Sequence, residues 1–398
     1  MAQNLDRLKD VVPDILSRLP VKSLRRFACV NKSWYNLIKS PDFISKHLHT
    51  FNNRKNSADP LNLLVNRIRR ATFGPSGLNR KAFVSLLSFN PINKSTSLNL
   101  LDLIYNHNEV YHLEIFGPCN GLYYLHSITN LIVNPSMREF IVLPDSPAPP
   151  DTHFLQHYMG FGFDPNTNDY KVITIMDTWL DETDEQLPWR LEIYSLNSHC
   201  WRNVDCTLPS VSIWNWSWID AFVHGAFHWW AYDAAGDMVL AFDMQNEKFQ
   251  TFRVPNVRSS AEEYAGTVAK FRESLAVIIY PRMGTEKCFD LWVMEDYSNE
   301  ASWTKHSIIG PIVGARRPLG FLEENNLFVV EDNIERMVFY DLQTEEIMRT
   351  EFHGEEDSLQ AVVYMESLIS LRKDNENPQA RASFFGMVPD PLFEGNSG

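Results

Sequence analysis

The stretch GLYYLHSITNLIVNPSMREFIVLP, residues 121–144, contains three short apolar runs separated by polar turn residues. The first run precedes a polar break, the second ends at Asn134-Pro135, and the third ends at Leu143-Pro144. Short runs rich in β-branched and aromatic side chains, bounded by Asn, Ser and Pro, are typical of antiparallel strands. The stretch therefore predicts successive strands joined by short turns.

Similar units recur along the chain, at about residues 160–209, 220–255, 274–311 and 325–354. Their spacing is roughly 30 to 65 residues, as in repeat folds with inserted loops. Radial repetition of four-stranded units protects strand edges in β-propellers. With short β-rich runs from residue 61, and a final apolar run at 359–371 that we expect to complete the first unit, the pattern predicts an all-β propeller of roughly six blades. A pair of β-sandwiches is the alternative.

The first 50 residues have helical rather than strand periodicity. Apolar residues recur there at intervals of three and four, Pro20 ends a helix, and Asn31 and Ser40-Pro41 are helix-start signals. The pattern predicts a small α-helical bundle of three or four short helices. So small a bundle rarely covers its own apolar side, so we expect that side to pack on the following domain or on another protein.

Charge is divided along the sequence. The 398 residues carry −14 in total, but residues 1–100 hold 17 Lys and Arg against 5 Asp and Glu, a net +12, and residues 101–398 carry −26. A field as negative as that of the C-terminal part favours basic protein partners and disfavours nucleic acid. The alternative is that the surface charge only keeps the chain soluble.

Export and membrane insertion are not expected. The opening MAQNLDRLKD lacks the apolar core of a signal peptide, and no run of about 18 uncharged apolar residues occurs. The five cysteines, odd in number and without a CxxC pair, argue against a disulfide framework and a structural zinc site. We therefore expect a chain of the cytosol or nucleus, with no membrane association.

Three motifs in the helical region are Leu19-Pro20-Val21-Lys22-Ser23-Leu24, the Phe27-x-x-Val30 step, and Lys32-Ser33-Trp34-x-x-Leu37-Ile38. Together they resemble the F-box, the module that docks on a Skp-type adaptor in cullin-based ubiquitin ligases. The usual Leu-Pro-Glu-Asp opening reads Arg7-Leu8-Lys9-Asp10 here, and a proline stands instead at Pro13. Proline is tolerated in a first helical turn, so we expect a weakened helix start but not the loss of docking.

The resemblance implies that the apolar side of residues 8–38 is buried in the adaptor, which links the chain to a cullin and a RING subunit. Such adaptors are acidic, and residues 1–50 carry a net +5, so the charges suit each other. Some apolar residues must form the bundle's own core, and the sequence does not sort them. The expected adaptor-binding residues are Leu8, Ile15, Leu16, Leu19, Pro20, Val21, Leu24, Phe27, Val30, Trp34, Leu37 and Ile38.

Further motifs in the β region are Cys119-Asn120-Gly121-Leu122, Asn134-Pro135-Ser136, Gly160-Phe161-Gly162-Phe163-Asp164, Asp169-Tyr170-Lys171-Val172 and Phe227-His228-Trp229-Trp230. They resemble the F-box-associated domain of plant F-box proteins, over about residues 5 to 371. The segment CFDLWVMEDY, 288–297, with SWTK at 302–305, is similar to the S-locus F-box proteins, pollen determinants that recognise secreted pistil ribonucleases. The resemblance implies a basic S-RNase as the target.

No motif indicates catalysis. His224 and His228 have the HxxxH spacing of a zinc site, but Gly225 interrupts it, and the segment reads as a strand that would place the two residues about 13 Å apart. Cys200 and Cys206 lack a nearby base, and phosphate-loop and nucleophile-elbow motifs do not occur. We expect no enzymatic activity, cofactor or metal. A propeller enzyme or sugar-binding module with a helical cap is the alternative.

Two features of the β region are candidates for target binding. The acidic run 181–185 lacks calcium-loop spacing and reads as a solvated loop or a surface for a basic partner. Trp214, Trp216 and Trp218 alternate and so share one strand face, where they pack between blades or anchor a partner. The expected target-binding residues are Asp181, Glu182, Asp184, Glu185, Trp214 and Trp216.

The expected organisation is an F-box at 1–50, a linker at 51–60, an F-box-associated propeller at 61–371 and a disordered tail at 372–398. The expected function is substrate recognition for a Skp–cullin–F-box ubiquitin ligase, directed at pistil S-RNases in self-incompatibility. An F-box receptor with an unrelated immune or signalling target is the alternative. The expected location is the cytosol, that of the pollen tube for an S-RNase receptor, or the nucleus.

Overall fold

The computed structural model describes residues 11–52, 61–74, 77–90, 95–99, 113–127, 129–146, 152–181, 183, 186–214, 219, 221–255, 263–322, 327–355 and 358–372. The predicted linker from residue 53 onward and the predicted tail from residue 373 onward lie outside these residues.

Short helices come first in the described part of the chain. The side chain of Asn31 accepts a hydrogen bond from the backbone N–H of Trp34 (2.9 Å), and the Ser40 hydroxyl accepts one from the N–H of Phe43 (3.3 Å). These are the helix starts expected from the sequence. The helices are 11–16 (α1), Val21–Ala28 (α2), Lys32–Ile38 (α3) and Pro41–Asn52 (α4).

Six antiparallel sheets follow among the described residues. In blade one β25 (Gln360–Val363) joins β1 (Leu61–Gly74), β2 (Gly77–Asn90) and β3 (Ser95–Asn99). Blade two contains β4 (Glu114–Cys119), β5 (Leu122–His126), β6 (Leu131–Asn134) and β7 (Glu139–Val142). Blade three contains β8 (Thr152–Asp164), β9 (Asp169–Leu180), β10 (Arg190–Ser195) and β11 (Cys200–Asn203).

Blade four has a divided inner strand, and blade five includes a short 3-10 helix. Blade four contains β12 (Ser212–Ile213), β13 (Phe222–Val223), β14 (Ala226–Asp233), β15 (Gly236–Asp243) and β16 (Lys248–Arg253). Blade five contains β17 (Tyr264–Phe271), β18 (Ser274–Pro281), β19 (Glu286–Met294) and β20 (Trp303–Val313), with the 3-10 helix at Glu300–Ser302. Blade six contains β21 (Ala315–Leu322), β22 (Leu327–Asp332), β23 (Arg336–Asp341) and β24 (Ile347–His353).

Each blade packs on both of its neighbours. Tyr123 packs against blade one and the adjacent Tyr124 against blade three, because successive side chains of a strand point to opposite faces. Leu63 of blade one and Phe339 of blade six share another cluster, which closes the ring. The predicted six-bladed propeller is confirmed, and the β-sandwich alternative is wrong.

The C-terminal part of the chain completes the first blade. β25 pairs with β1, where Gln360 lies opposite Asn66. The buried Gln360 side chain accepts a hydrogen bond from the N–H of Ile115 (2.7 Å) and donates one to its carbonyl (2.5 Å), which joins blades one and two. The predicted return of 359–371 is confirmed for β25, whereas residues 364–371 continue toward the helices.

Asp and Asn side chains end many of the strands. The Asp164 carboxylate accepts from the N–H of Asn166 (2.9 Å), and Asp243 accepts from that of Gln245 (2.8 Å). A side chain that bonds the backbone two residues on mimics a turn and stops the strand. The same contact occurs at Asn134, Asp233, Asp332 and Asp341.

Two glycines of the Gly160–Asp164 motif let blades three and four approach closely. A Cβ on Gly160 would lie 2.8 Å from the ring of Phe227, and a Cβ on Gly162 would lie 2.4 Å from the ring of Phe222. The two phenylalanine rings therefore lie directly on the backbone of β8. The motif is explained by packing, because no side chain fits at either glycine.

The turns of the propeller alternate between its two faces, because neighbouring strands are antiparallel. Met137, in the turn after β6, packs on the helices, so this turn lies on the helix-bearing face. The connections that follow β5, β9, β14, β18 and β22 lie on the opposite side, which we call the far face.

Candidate adaptor-binding helices and target-binding face

The helices enclose a small core that includes one residue from the far end of the sequence. Leu368, which follows the last strand, packs into the same cluster as the helix residues and is itself buried. The rings of Phe27 and Trp34 meet edge to face beside this core, with centroids 5.3 Å apart. The apolar side of the helices is therefore covered in part by this chain.

The residues predicted to contact an adaptor differ in how much surface they leave open. Residues buried by the chain's own packing offer a partner little surface, whereas exposed apolar side chains gain free energy when a partner covers them. The set comprises buried Leu16, Val21, Leu24 and Ile38, half-buried Leu19, Phe27, Trp34 and Leu37, and exposed Ile15, Pro20 and Val30, while Leu8 lies outside the described residues.

Among the predicted contacts, Ile15 and Val30 are both more than half exposed, at 57% and 64%. Val11 and Tyr35 are also exposed, and sequence reasoning missed both. Val11 stands four residues before Ile15 on α1, so the two side chains form one apolar ridge. Counting back one helical turn from Ile15 would have found it.

The far face holds one described acidic residue of the predicted acidic run and a groove beside β9 and β10. Asp181 is exposed at the end of β9, whereas Glu182, Asp184 and Glu185 lie outside the described residues. The groove has a volume of about 570 Å³ and is lined partly by Trp189, whose ring stacks on Tyr158 with centroids 5.9 Å apart. The other lining residues are Thr178, Leu187, Pro188, Arg190, Leu191, Asn203 and Val204.

Trp214 lies between blades rather than on a rim. Its side chain is half-buried in the cluster shared by blades four and five. Its backbone N–H donates to the Trp230 carbonyl (2.8 Å), and the guanidinium of Arg282 lies 4.9 Å from its ring. This placement fits the packing interpretation of the tryptophan pattern. Trp216 and Trp218 lie outside the described residues.

Three exposed apolar residues on the far face were missed by sequence reasoning. Met283 is 85% exposed, and Val313 and Ile334 are each 57% exposed. They flank a row of backbone hydrogen bonds in which the Gly314 N–H donates to the Thr285 carbonyl (2.7 Å). The Gly314 carbonyl accepts a hydrogen bond (2.8 Å) from a backbone N–H in the turn between β22 and β23. We call Met283, Val313 and Ile334 the apolar ledge. The sequence signal that could have found Met283 and Ile334 is a single apolar residue within a polar turn.

His224 and His228 are separated by a turn rather than lying along one strand. The turn occurs at Gly225, whose φ is +79°, and the prediction of a continuous strand is wrong there. The two ring nitrogens of His228 lie 2.8 Å from the Ala221 carbonyl and 3.0 Å from the Tyr297 hydroxyl. Among the described residues no cluster of His, Cys, Asp or Glu could hold a metal.

Acid is expected to destabilise the fold through His228. Burial lowers the pKa of His228 to about 4, although the hydrogen bond to Ala221 acts in the opposite direction. In the unfolded chain the same side chain has its ordinary pKa of 6.5. The contribution of neutral His228 to the free energy of unfolding is fully present above pH 6.5. It falls by about 1.4 kcal/mol per pH unit between pH 6.5 and pH 4. Urea unfolding measures how much the free energy of unfolding drops from pH 7 to pH 5. That drop should be about 2 kcal/mol smaller in His228→Gln than in the wild type. Equal losses would contradict this assignment.

No helix within the described residues has the length and hydropathy needed to cross a membrane.

The helices and the propeller both match known families. Residues 9–46 match the F-box domain, and residues 73–378 match the F-box associated beta propeller domain. The F-box protein CPR1 of Arabidopsis thaliana is 25% identical over 94% of this chain and 93% of its own. The F-box protein At4g19940 of the same plant is 27% identical, over 87% and 86%.

Among solved structures, an oligogalacturonate lyase in complex with manganese matches 74% of this chain and 81% of its own, at 10% identity and a TM-score of 0.39. The F-box associated beta propeller match covers well over half of the sequence and overlaps all six blades of the ring. The chain therefore belongs to the family of plant F-box proteins that carry an F-box-associated β-propeller.

Proposed function

We propose that this chain is a non-catalytic substrate receptor of a Skp–cullin–F-box ubiquitin ligase. The observation that carries the proposal is the exposed apolar ridge of Val11 and Ile15, on an F-box whose core is already packed. An F-box implies binding to a Skp-type adaptor, and through it to a cullin and a RING subunit. Holding the lysines of a target near the ubiquitin-charged enzyme is then the entire contribution of this subunit.

The target class that we propose is a basic ribonuclease secreted by the pistil and taken up by the pollen tube. Its support is the S-locus likeness of residues 288–305 and the −26 charge of residues 101–398, which attracts a basic partner. Asp181 lies on the far face, so a target bound there leaves the F-box open to the adaptor. This proposal places the chain in the pollen-tube cytosol, with the nucleus as the alternative.

We propose that the apolar ledge supplies binding affinity, which charge attraction alone does not provide. Electrostatic attraction speeds encounter and selects partners, whereas affinity rests on a few apolar anchors that the partner buries. Met283 and Ile334 project from hydrogen-bonded turns, so little backbone conformational entropy is lost when a target covers them.

The adaptor-bound chain should bind some members of a panel of pistil ribonucleases, and salt should weaken this binding. Pull-downs at about 50 mM and about 500 mM NaCl measure the effect. Exchanging two of the three ledge residues, Met283→Ser with Ile334→Ser, should weaken binding at least about tenfold. The matched control is Ile308→Ser, which changes a residue that is 59% exposed on an outer strand.

Retained adaptor binding without capture of any ribonuclease would contradict the S-RNase target. It would leave a receptor for another protein, such as an immune or signalling regulator. An equal loss of binding in Ile308→Ser would show that the apolar ledge is not part of the binding surface.

A further inference from the structure

Residues 364–371, which we call the strap, leave β25 and run along blade two. The Tyr123 hydroxyl donates to the Val363 carbonyl (2.9 Å) and accepts from the N–H of Met365 (2.8 Å). The Asn134 amide donates to the carbonyls of Ser367 (3.1 Å) and Ile369 (2.7 Å). The strap is thus held by buried side chains of one blade.

Two of the motifs that carry the family resemblance form the surface on which the strap packs. A Cβ on Gly121 would lie 2.5 Å from the Cβ of Ser367 and 3.0 Å from the Met365 carbonyl oxygen, so a side chain there would displace the strap. In the Asn134-Pro135-Ser136 motif, the Ser136 hydroxyl lies 3.1 Å from the Tyr364 hydroxyl and accepts from the N–H of Ser367 (3.2 Å). Both motifs are explained by contact with the strap.

The other side of the strap holds the F-box. Leu368 fills the helix core together with Val21 and Leu24. The Glu366 carboxylate accepts a 2.6 Å hydrogen bond from the N–H of Val21, the first residue of α2. Pro20 is the N-cap residue of α2, but its side chain caps no backbone N–H. Glu366, 345 positions after Val21, caps the helix instead. A carboxylate at this end is also favoured by the helix dipole.

We propose that the strap is a rigid coupling that fixes the orientation of the F-box on the propeller, with Glu366 and Leu368 as positioning residues. A single covalent connection leaves two modules free to rotate, whereas a second, packed contact removes that freedom. Its consequence for ubiquitin transfer rests on the proposed function. A fixed orientation brings the same part of the receptor and its cargo to the charged enzyme in every complex.

Distance measurements between the two modules test the coupling without any adaptor or target. Cys29, at the end of α2, and Cys200, at the start of β11, are both exposed and accept spin labels. Half-buried Cys206 and Cys288 are changed to serine in every sample. Double electron–electron resonance on the full chain should give one narrow distance distribution.

A matched pair of glycine substitutions separates the strap from general strain. Gly121→Ala and Gly225→Ala both place alanine at a φ near +80° in a turn between strands, but a Cβ at Gly225 meets nothing within 4 Å. Gly121→Ala should broaden the distribution, and Gly225→Ala should leave it narrow. A broad distribution in the wild type, or a narrow one in Gly121→Ala, would overturn the proposal.

Self-ubiquitination in the reconstituted ligase gives the functional readout. With adaptor affinity unchanged, Gly121→Ala should spread modification over more propeller lysines than Gly225→Ala, as mapped by mass spectrometry. An unchanged lysine pattern would overturn the role of the strap in transfer. Failure of the wild type to bind the adaptor would instead contradict the proposed function, while the distance measurements would still decide the coupling.

Discussion

Replacing Lys171 with methionine is expected to lower the free energy of unfolding by about 3–5 kcal/mol, the cost of removing one partner from a buried ion pair. Lys171 is 5% exposed, and its ammonium donates to the Asp164 carboxylate (2.8 Å) and the Glu247 carboxylate (2.9 Å). A third bond goes to the Met244 carbonyl (2.8 Å). The lysine therefore joins blade three to the last turn of blade four.

The cost arises at Asp164, which is 2% exposed. Burial raises the pKa of this carboxyl, but hydrogen bonds from Lys171, Thr167 and Asn166 outweigh burial and hold the pKa below its ordinary value. Methionine has a similar length without charge, so the carboxylate would remain buried without its cation. Glu247 would keep its ion pair with Arg202.

The control is the same substitution at Lys270, whose partner Glu273 is exposed. Surface ion pairs contribute about 0–1 kcal/mol, so Lys270→Met should change stability little. Urea-induced unfolding of both variants makes the comparison. Equal stability of Lys171→Met and Lys270→Met would show that the buried cluster does not stabilise the ring.

Changing Ile15 and Val30 together to aspartate is expected to weaken binding to a Skp-type adaptor at least about 100-fold. Both side chains are more than half exposed, so the F-box should keep its core. In the complex each aspartate would place a charge where an apolar group is buried, and desolvation of that charge is unfavourable. Isothermal titration of the purified chain with adaptor measures the change.

The control for this pair is Val142→Asp, which changes a residue that is 46% exposed in blade two of the propeller. It should leave adaptor affinity unchanged. An unaltered affinity in the Ile15→Asp and Val30→Asp variant, with a folded F-box by circular dichroism, would move the adaptor interface to another surface.

The fold could be predicted because its signals are local. Turn residues such as Asp164 and Asp243 act two positions along the chain, and Asn31 caps a helix three positions on. The divided inner strand of blade four was not predicted. The turn at Gly225 was missed because the apolar residues on its two sides read as one strand.

The sorting of F-box residues could not be predicted, because it depends on a distant segment. Leu24 and Ile15 have the same apolar character and helical spacing, yet Leu24 is buried under the strap and Ile15 is exposed. The contact between Glu366 and Val21 spans 345 residues and leaves no periodic signal in the sequence. Motifs such as Gly121 pointed to a family, and only the packing shows what they hold.

Adaptor binding decides whether this chain is a substrate receptor. Size-exclusion chromatography with light scattering, on the full chain mixed with a recombinant Skp-type adaptor, measures it. A substrate receptor should form a single one-to-one complex as the wild type, whereas the two proteins should elute separately for the Ile15→Asp and Val30→Asp variant. Separate elution of a folded wild-type chain and adaptor would contradict the assignment of this protein as a ubiquitin-ligase receptor.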